Sequence, residues 1–192
     1  MITTLLNYLA NSSAITYLVL ALLSSYFVAA FWIFFYRKSV INSLLSNEKK
    51  SLELLTSRET RFSPLSALNK CSNNSSSKEL LHACEINIMK DASYGISWLA
   101  IISSTAPFIG LFGTVVGILE SFAKFASQTK VAFSIIAPAI SEALVATAAG
   151  ILVAIFAYTF HQILSRKLYE LGIYLKAQSQ ILIAKGWYSG WL

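Results

Sequence analysis

Three stretches of the chain are almost free of charged side chains and are each longer than a membrane helix. Residues 1–36 and 92–119 contain no Asp, Glu, Lys or Arg, and residues 131–160 contain only Glu142. A helix of about 20 apolar residues crosses the hydrocarbon core of a bilayer. Charged residues make up 12% of the 192 residues, and the mean hydropathy is +0.62, which leaves too few polar groups to cover a soluble domain. We therefore predict an integral membrane protein and exclude an ordinary soluble enzyme and a disordered chain.

Hydropathy and turn-forming residues divide the chain into seven segments of an all-α protein with three transmembrane helices and long cytoplasmic helical extensions. The expected segments are an external N-terminus (1–13), TM1 (14–36), a cytoplasmic helical segment (37–95), TM2 (96–122), an external loop (123–130), TM3 (131–161) and a cytoplasmic amphipathic tail (162–192). The two cytoplasmic segments hold 13 Lys and Arg, whereas the N-terminus and the loop hold two. Basic residues mark the cytoplasmic side of a membrane protein. Because they flank apolar spans, they do not predict a nucleic-acid interface.

Periodicity and capping signals set the expected lengths of the helices. TM1 is expected to continue as a helix to the late 50s, before Pro64. Ser76 and Glu79 match the S-x-x-E capping box, so we predict an uninterrupted helix of some 45 residues from there through TM2. Leucines recur at three- and four-residue steps in the tail, which predicts that the tail packs against this helix. Trp187 and Trp191 are expected to serve at the end of the tail as end plugs or as anchors at the membrane interface.

The two cysteines, Cys71 and Cys84, fall in the polar segment that the charge count assigns to the cytoplasm. His82 lies nearby, but these three groups lack a fourth ligand at a spacing typical of zinc sites. We therefore expect two ordinary reduced thiols. The sequence gives no sign of a metal centre, a cofactor site or a nucleophile–base pair, so no enzymatic activity is expected.

Glu142 is the most informative single residue. It lies about 16 Å along the TM3 axis from Val131, near the middle of the ~30 Å core. An acidic side chain at that depth costs roughly 2.5–3.5 kcal/mol on insertion scales, so it must face protein or a wet cavity. Two readings remain: a carboxyl that gains and loses a proton, or a structural carboxyl hydrogen-bonded to a neighbouring helix.

Small residues form one face on TM2 and another on TM3, at helical spacing. The small residues are Gly110, Gly113, Gly117, Ala143, Ala146 and Gly150, and the two spans also contain the prolines Pro107 and Pro138. Small residues let transmembrane helices approach closely, and Gly113 and Gly117 form a GxxxG pair. The prolines are expected to kink or loosen the spans. Because a three-helix monomer would leave one small-residue face on lipid, we predict a ring-forming oligomer in which these faces pack helices and line a pore.

Two motifs in the second and third spans resemble those of a known family. Segments 104–122, STAPFIGLFGTVVGILESF, and 136–151, IAPAISEALVATAAGI, are similar to the signature stretches of the ExbB/TolQ/MotA proton-channel family. The resemblance is to the ExbB/TolQ branch, because MotA-like members lack the glutamate that falls on Glu142. It implies a proton pathway formed by Glu142, Thr114 and Thr147.

The resemblance also implies partners and a location. Family members form pentamers in the bacterial inner membrane around single-span ExbD- or TolR-like proteins. They use the proton-motive force to drive a TonB- or TolA-like protein that works on the outer membrane. Three departures are Val116 where Trp is usual, Ala139 where Gly is usual, and Phe156 where many members have Pro.

Three functions stay open from the sequence. The favoured one is an ExbB-type subunit that energises biopolymer transport in a TonB system. The second is a TolQ-type subunit of a Tol-Pal system, which serves envelope maintenance during division. The third, of a different class, is a helical membrane scaffold that conducts no protons. Glu142 argues against the scaffold, since a costly acid within the membrane gives a scaffold no advantage.

Overall fold

The computed structural model describes residues 14–57, 66–72, 77–125 and 133–189. These residues form five helices and no strand: α1 (Ala14–Thr56), α2 (Ala67–Ser72), α3 (Lys78–Ser93), α4 (Ile96–Phe125) and α5 (Phe133–Ser189). Three helices contain segments long and apolar enough to cross a membrane: Ile15–Thr56, Ile96–Ala123 and Ile140–Ala184. The prediction of an all-α membrane protein with three spans is therefore confirmed, whereas ring formation stays a prediction.

The chain forms two compact units, which we call the first unit (1–32 and 98–160) and the second unit (33–97 and 161–192). The first unit contains the most apolar parts of α1, α4 and α5. The second unit contains α2, α3 and the polar parts of α1 and α5. Each unit has its own buried side chains, so each is described separately.

The expectation of one uninterrupted helix through TM2 is wrong, because the chain breaks at Tyr94 and Gly95. Gly95 has a φ of +83°, a conformation that L side chains rarely adopt. A Cβ at this position would also lie 3.3 Å from Nε of Arg37. The Arg37 guanidinium donates to the carbonyl of Asp91 at 3.5 Å and lies 5.3 Å from the ring centroid of Tyr94. The turn between α3 and α4 is therefore specified by a glycine and an arginine that lie far apart in sequence.

The start of α3 differs slightly from the predicted capping box. Ser76 lies outside the described residues, and Ser77 is the N-cap of α3. The Ser77 hydroxyl donates to Oε2 of Glu79 at 3.0 Å. Hydrogen bonds from the Glu79 backbone amide and then from Ser77 lower the pKa of Glu79. The Ser77 side chain makes no capping hydrogen bond to the backbone of α3, so the described start of this helix has an N-cap serine but not the reciprocal contacts of the predicted capping box.

The second unit has an aliphatic core. Leucines of the tail pack with residues of α1, α2 and α3; the core residues are Leu55, Leu68, Leu81, Cys84, Ala92, Leu171, Leu175 and Leu182. The prediction that the tail packs on the helix starting near Ser76 is thereby confirmed. Nothing is described of the Trp187 side chain, and Trp191 lies outside the described residues, so their predicted role stays a prediction.

A buried polar cluster lies in the same unit and fixes the short helix α2. Glu48, from α1, is fully buried and accepts hydrogen bonds from the Ser66 hydroxyl at 2.9 Å and from the Ala67 amide at 2.6 Å. Gln178, from α5, donates to Oε2 of Glu48 at 3.0 Å and to its carbonyl at 2.8 Å, and accepts from Ser51 at 3.3 Å. A carboxylate at the first turn of α2 satisfies backbone donors that the helix cannot satisfy itself.

The cysteines are paired, contrary to the expectation of two reduced thiols. Cys71 of α2 and Cys84 of α3 form a disulfide, with their Cα atoms 5.8 Å apart. The expectation rested on the lack of a fourth ligand for a zinc site near the cysteines, which says nothing of whether the two thiols meet. Because α2 packs on α3 through Leu68 and Leu81, the two cysteines are brought within bonding distance.

Candidate functional site

In the first unit, α4 and α5 approach so closely that their backbones are in contact. A Cβ built on Gly150 would lie 2.6 Å from the carbonyl oxygen of Ala106 and 3.0 Å from the Cα of Gly110. A Cβ on Gly110 would lie 2.7 Å from the carbonyl oxygen of Ala146. Real Cβ atoms do not come this close to backbone atoms. Glycine is therefore required at both positions of this crossing.

The crossing extends along α4 to Gly113 and Gly117. A Cβ on Gly113 would lie 3.1 Å from the Cβ of Ala146 and 2.8 Å from a methyl group of Val19 on α1. A Cβ on Gly117 would lie 3.2 Å from the Cβ of Ala143. All six small residues that the sequence singled out thus belong to one packing face within a single chain.

This packing corrects the argument for a ring. The small-residue faces of TM2 and TM3 were expected to need partners from other copies. In the structure they contact each other, so neither is left on lipid, and their role in lining a pore stays a prediction. Pro107 and Pro138 both lie inside helices, at half-buried and exposed positions respectively, and the helices continue past them.

Two hydroxyls meet where α4 and α5 cross. Thr114 is 8% exposed, and its Oγ1 forms a hydrogen bond with Oγ1 of Thr147. Thr114 also lies within 3.2 Å of the carbonyl oxygens of Gly110 and Ala143, and Thr147 lies 3.2 Å from the carbonyl of Gly110. The family resemblance implies a proton-pathway role for both threonines, and the structure brings them into direct contact.

The hydroxyl pair can be oriented in two directions. Each hydroxyl has one proton to donate, whereas the pair has two carbonyl acceptors as well as each other. Thr147 can donate to Thr114 while Thr114 donates to Ala143, or Thr114 can donate to Thr147 while Thr147 donates to Gly110. A pair with two complete hydrogen-bonding arrangements can reorient without leaving a buried polar group unsatisfied.

Glu142 lies on α5 directly before Ala143, whose carbonyl oxygen is near the Thr114 hydroxyl. Its side chain is half-buried, and its Oε1 is shielded from solvent. Glu142 and Thr147 are five residues apart, so they point about 140° apart around α5. The carboxyl and the hydroxyl pair therefore occupy different flanks of the same helix crossing.

Sequence analysis missed two polar residues of the first unit. Thr16, on α1, is 6% exposed, and its Oγ1 would lie 3.9 Å from a Cβ on Gly117. Glu120, on α4, is half-buried, and its Oε2 is shielded from solvent. A signal for Glu120 was available, because it is an acidic residue inside a span and within the quoted motif. Glu120 directly follows the charge-free stretch 92–119, so that stretch alone does not mark it as a residue of the span.

Departures from the family pattern have a structural counterpart at Phe156. Its ring packs edge-on against Phe27 with centroids 5.7 Å apart, and lies 5.8 Å from Phe31. Phe31 in turn packs edge-on against Phe160 at 4.9 Å. Phe156 therefore belongs to an aromatic cluster between α1 and α5.

Comparison with known proteins gives a family and full-length relatives. Residues 55–176 match the model of the MotA/TolQ/ExbB proton channel family. A biopolymer transport protein named ExbB-like 1 from Helicobacter pylori strain J99 is 42% identical over 188 residues, which cover 96% of this chain and 100% of the relative.

Shorter matches connect the chain to proteins named ExbB. The biopolymer transport protein ExbB of Neisseria gonorrhoeae is 47% identical over 79 residues, covering 41% of this chain and 36% of the relative. ExbB of Pseudomonas putida is 44% identical over 79 residues, covering 41% of this chain and 24% of the relative. These ExbB proteins therefore match over a limited segment, whereas the Helicobacter protein matches from end to end.

Proposed function

The chain belongs to the MotA/TolQ/ExbB proton channel family, and on this premise we propose that it is an ExbB-type subunit of a proton-driven motor. The observation that carries the proposal is a half-buried carboxyl, Glu142, on an apolar span, about 7.5 Å along the helix axis from a hydrogen-bonded pair of hydroxyls on the other flank of the same crossing. Glu142 exchanges protons with the two sides of the membrane, and Thr114 and Thr147 orient the hydrogen-bonded path on the inner side. The chain performs no enzymatic reaction itself.

Partners complete this function. We infer that five copies surround the single-span helices of an ExbD-like protein, whose own acidic residue faces Glu142. Rearrangement of the complex then drives a TonB-like protein that acts on the outer membrane. The relatives carry ExbB names, which favours this role over a TolQ-type role with TolR- and TolA-like partners. Identification of the protein that co-purifies with the chain would decide between the two.

Substitution of Glu142 tests the proposal. Glu142→Gln keeps the size and much of the hydrogen bonding but cannot exchange a proton. We expect a complex of normal size and a loss of proton flux to background when the complex is reconstituted in vesicles. Glu142→Asp should retain part of the flux. Glu53→Gln, which removes an exposed carboxylate of the second unit, is the matched control. Unchanged flux in Glu142→Gln would make Glu142 a structural carboxyl and overturn the proposed pathway, whereas a wild-type complex without flux above background would support the non-conducting scaffold.

Orientation is part of the proposal and follows from the distribution of basic residues. We place the N-terminus in the periplasm and the C-terminus in the cytoplasm of the bacterial inner membrane. The Cys71–Cys84 disulfide bears against this orientation, because cytosolic thiols are normally reduced. Lys90→Cys and Ser127→Cys, each in a background without the native cysteines, test it. An impermeant thiol reagent added outside should label position 127 and not position 90; the opposite result would invert the topology.

A further inference from the structure

The helix crossing in the first unit fixes the level of a second acidic residue. Along α4, Gly110 faces Gly150, Gly113 faces Ala146 and Gly117 faces Ala143, so the two helices run in opposite directions. Residues of α4 beyond Gly117 therefore lie level with residues of α5 that precede Ala143. Glu120 and Glu142 consequently lie on the same side of the Thr114–Thr147 pair, toward the C-terminal end of α4.

The two carboxyls lie at similar depths. Glu120 is six residues beyond Thr114, which is about 9 Å along the axis, and Glu142 is five residues before Thr147, which is about 7.5 Å. The Cα–Cβ bonds of a helix tilt toward its N-terminus. Because α4 and α5 are antiparallel, the Cα–Cβ bond of Glu120 tilts toward the level of the Thr114–Thr147 pair and that of Glu142 tilts away from it. The Cβ atoms of the two residues are therefore closer in level than their Cα atoms.

The two carboxyls also share a flank of the crossing. Glu120 is seven residues beyond Gly113, so the two residues point in nearly the same direction from the axis of α4. Glu142 is four residues before Ala146, so these two point in similar directions from the axis of α5. Gly113 and Ala146 face each other next to Val19 of α1. Thr114 and Thr147 occupy the other flank.

Both side chains are half-buried, and each has one carboxyl oxygen shielded from solvent. Acidic residues within membrane spans are costly and are commonly associated with proton or ion pathways. Glu120 has no part in the pathway described above. It is nevertheless placed at the level and on the flank where a proton would approach Glu142 from the end of α4.

We propose that Glu120 is a second proton-carrying residue, which passes protons between the water at the C-terminal end of α4 and Glu142. This inference rests on the proposed function. The Glu120 carboxylate takes one proton from hydronium and transfers it, through a water molecule, to the carboxylate of Glu142. Glu120 is then anionic again and one proton has moved, so no oxidant, reductant or other reactant is required. The chain itself thus supplies two carboxyls to the pathway.

Three substitutions at position 120 separate proton transfer from packing. Glu120→Gln preserves shape but carries no proton, Glu120→Asp keeps a carboxyl, and Glu120→His supplies a different shape that titrates near neutral pH. Proton flux is measured with a pH-sensitive dye in vesicles containing the chain with its co-purifying partner, at a fixed imposed voltage. Ser121→Ala is the control, because the Ser121 hydroxyl donates at 2.7 Å to the carbonyl of Gly117 in its own helix.

We expect flux in Glu120→Gln to fall about tenfold, with recovery of at least about a third of the wild-type flux in both Glu120→Asp and Glu120→His. Ser121→Ala should match the wild type, and native mass spectrometry should show complexes of full size throughout. Recovery by histidine is the decisive readout, because a packing role would not be restored by a side chain of different shape.

Four results would overturn the proposal. Flux in Glu120→Gln within twofold of wild type, while Glu142→Gln abolishes it, would remove Glu120 from the pathway and leave the proposed function intact. Aspartate and histidine variants no better than glutamine would indicate a structural carboxyl, as would loss of assembly in both Glu120→Gln and Glu120→His. If Glu142→Gln itself retained flux, the proposed function would fail, and the proposed role of Glu120 would fail with it.

Discussion

The two units of this protein are stabilised by different means. In the first unit the helices pack through glycine, so that α4 and α5 meet backbone to backbone at Gly110 and Gly150. In the second unit, leucines form the core, and a buried carboxylate and a disulfide hold a helix of six residues. Apolar side chains gain nothing by leaving lipid for a protein interior, whereas they gain by leaving water. The difference indicates that close approach stabilises the first unit and burial of leucine stabilises the second.

Glycine substitutions give the largest contrast between the units. Gly150→Leu forces a side chain against the carbonyl oxygen of Ala106, which a backbone contact cannot accommodate. We expect the first unit to lose at least about 3 kcal/mol of stability. Gly172→Ala in the second unit meets only the flexible end of Met89, at 3.3 Å, and should change stability by less than about 1 kcal/mol. Hydrogen exchange of peptides from each unit measures both. Equal effects would contradict the contrast.

Removal of the disulfide should have the next largest effect, confined to the second unit. Cys71→Ser with Cys84→Ser opens a loop of 13 residues, which corresponds to about 3 kcal/mol in the chain-entropy account. We expect faster hydrogen exchange in α2 and α3 and unchanged exchange in the α4–α5 crossing. The reduced wild-type protein should behave like the double variant. If both cysteines of the wild-type chain react with an alkylating reagent in the absence of reductant, the disulfide is absent.

Truncation of Glu48 tests the buried polar cluster. Glu48→Ala leaves the Ser66 hydroxyl and the Ala67 amide without their acceptor and removes one of the two acceptors of the Gln178 amide, which keeps the backbone carbonyl of residue 48. A buried group left unsatisfied costs roughly 1–3 kcal/mol, so we expect a loss of about 2 kcal/mol. Protease sensitivity between α1 and α2 would report the release of α2. Glu53→Ala, on the exposed face of α1, is the control and should leave the cleavage rate unchanged.

The aromatic cluster of the first unit should give the smallest effect. Phe156→Leu keeps apolar volume but removes the edge-on contact with Phe27, worth about 1 kcal/mol. The expected result is a modest decrease in thermal stability in detergent, followed by circular dichroism. Tyr158→Leu is the matched control, because Tyr158 is an exposed aromatic residue of the same helix. A larger loss of thermal stability for Tyr158→Leu would indicate that the exposed aromatic residues of α5, and not the cluster around Phe156, stabilise the unit.

The spans were predictable from the sequence because charge is absent over long stretches, and no tertiary contact is needed to see that. Glu142 was identified from its position within an apolar span, and the family resemblance added Thr114 and Thr147; the roles of all three stay predictions. The break at Gly95 was not predicted, because it depends on Arg37, which lies nearly 60 residues earlier in the chain. Likewise, Glu48 and Gln178 carry no local signal, since each is an ordinary polar residue on a helix until folding brings them together.

The disulfide has a further consequence for the covalent continuity of the chain. Cys71 and Cys84 enclose the polypeptide between α2 and the second turn of α3 in a closed ring. A single peptide-bond cut anywhere within that ring leaves the two halves of the protein attached to each other. On a denaturing gel, such a cut would produce two fragments with reductant and a band of nearly full size without it.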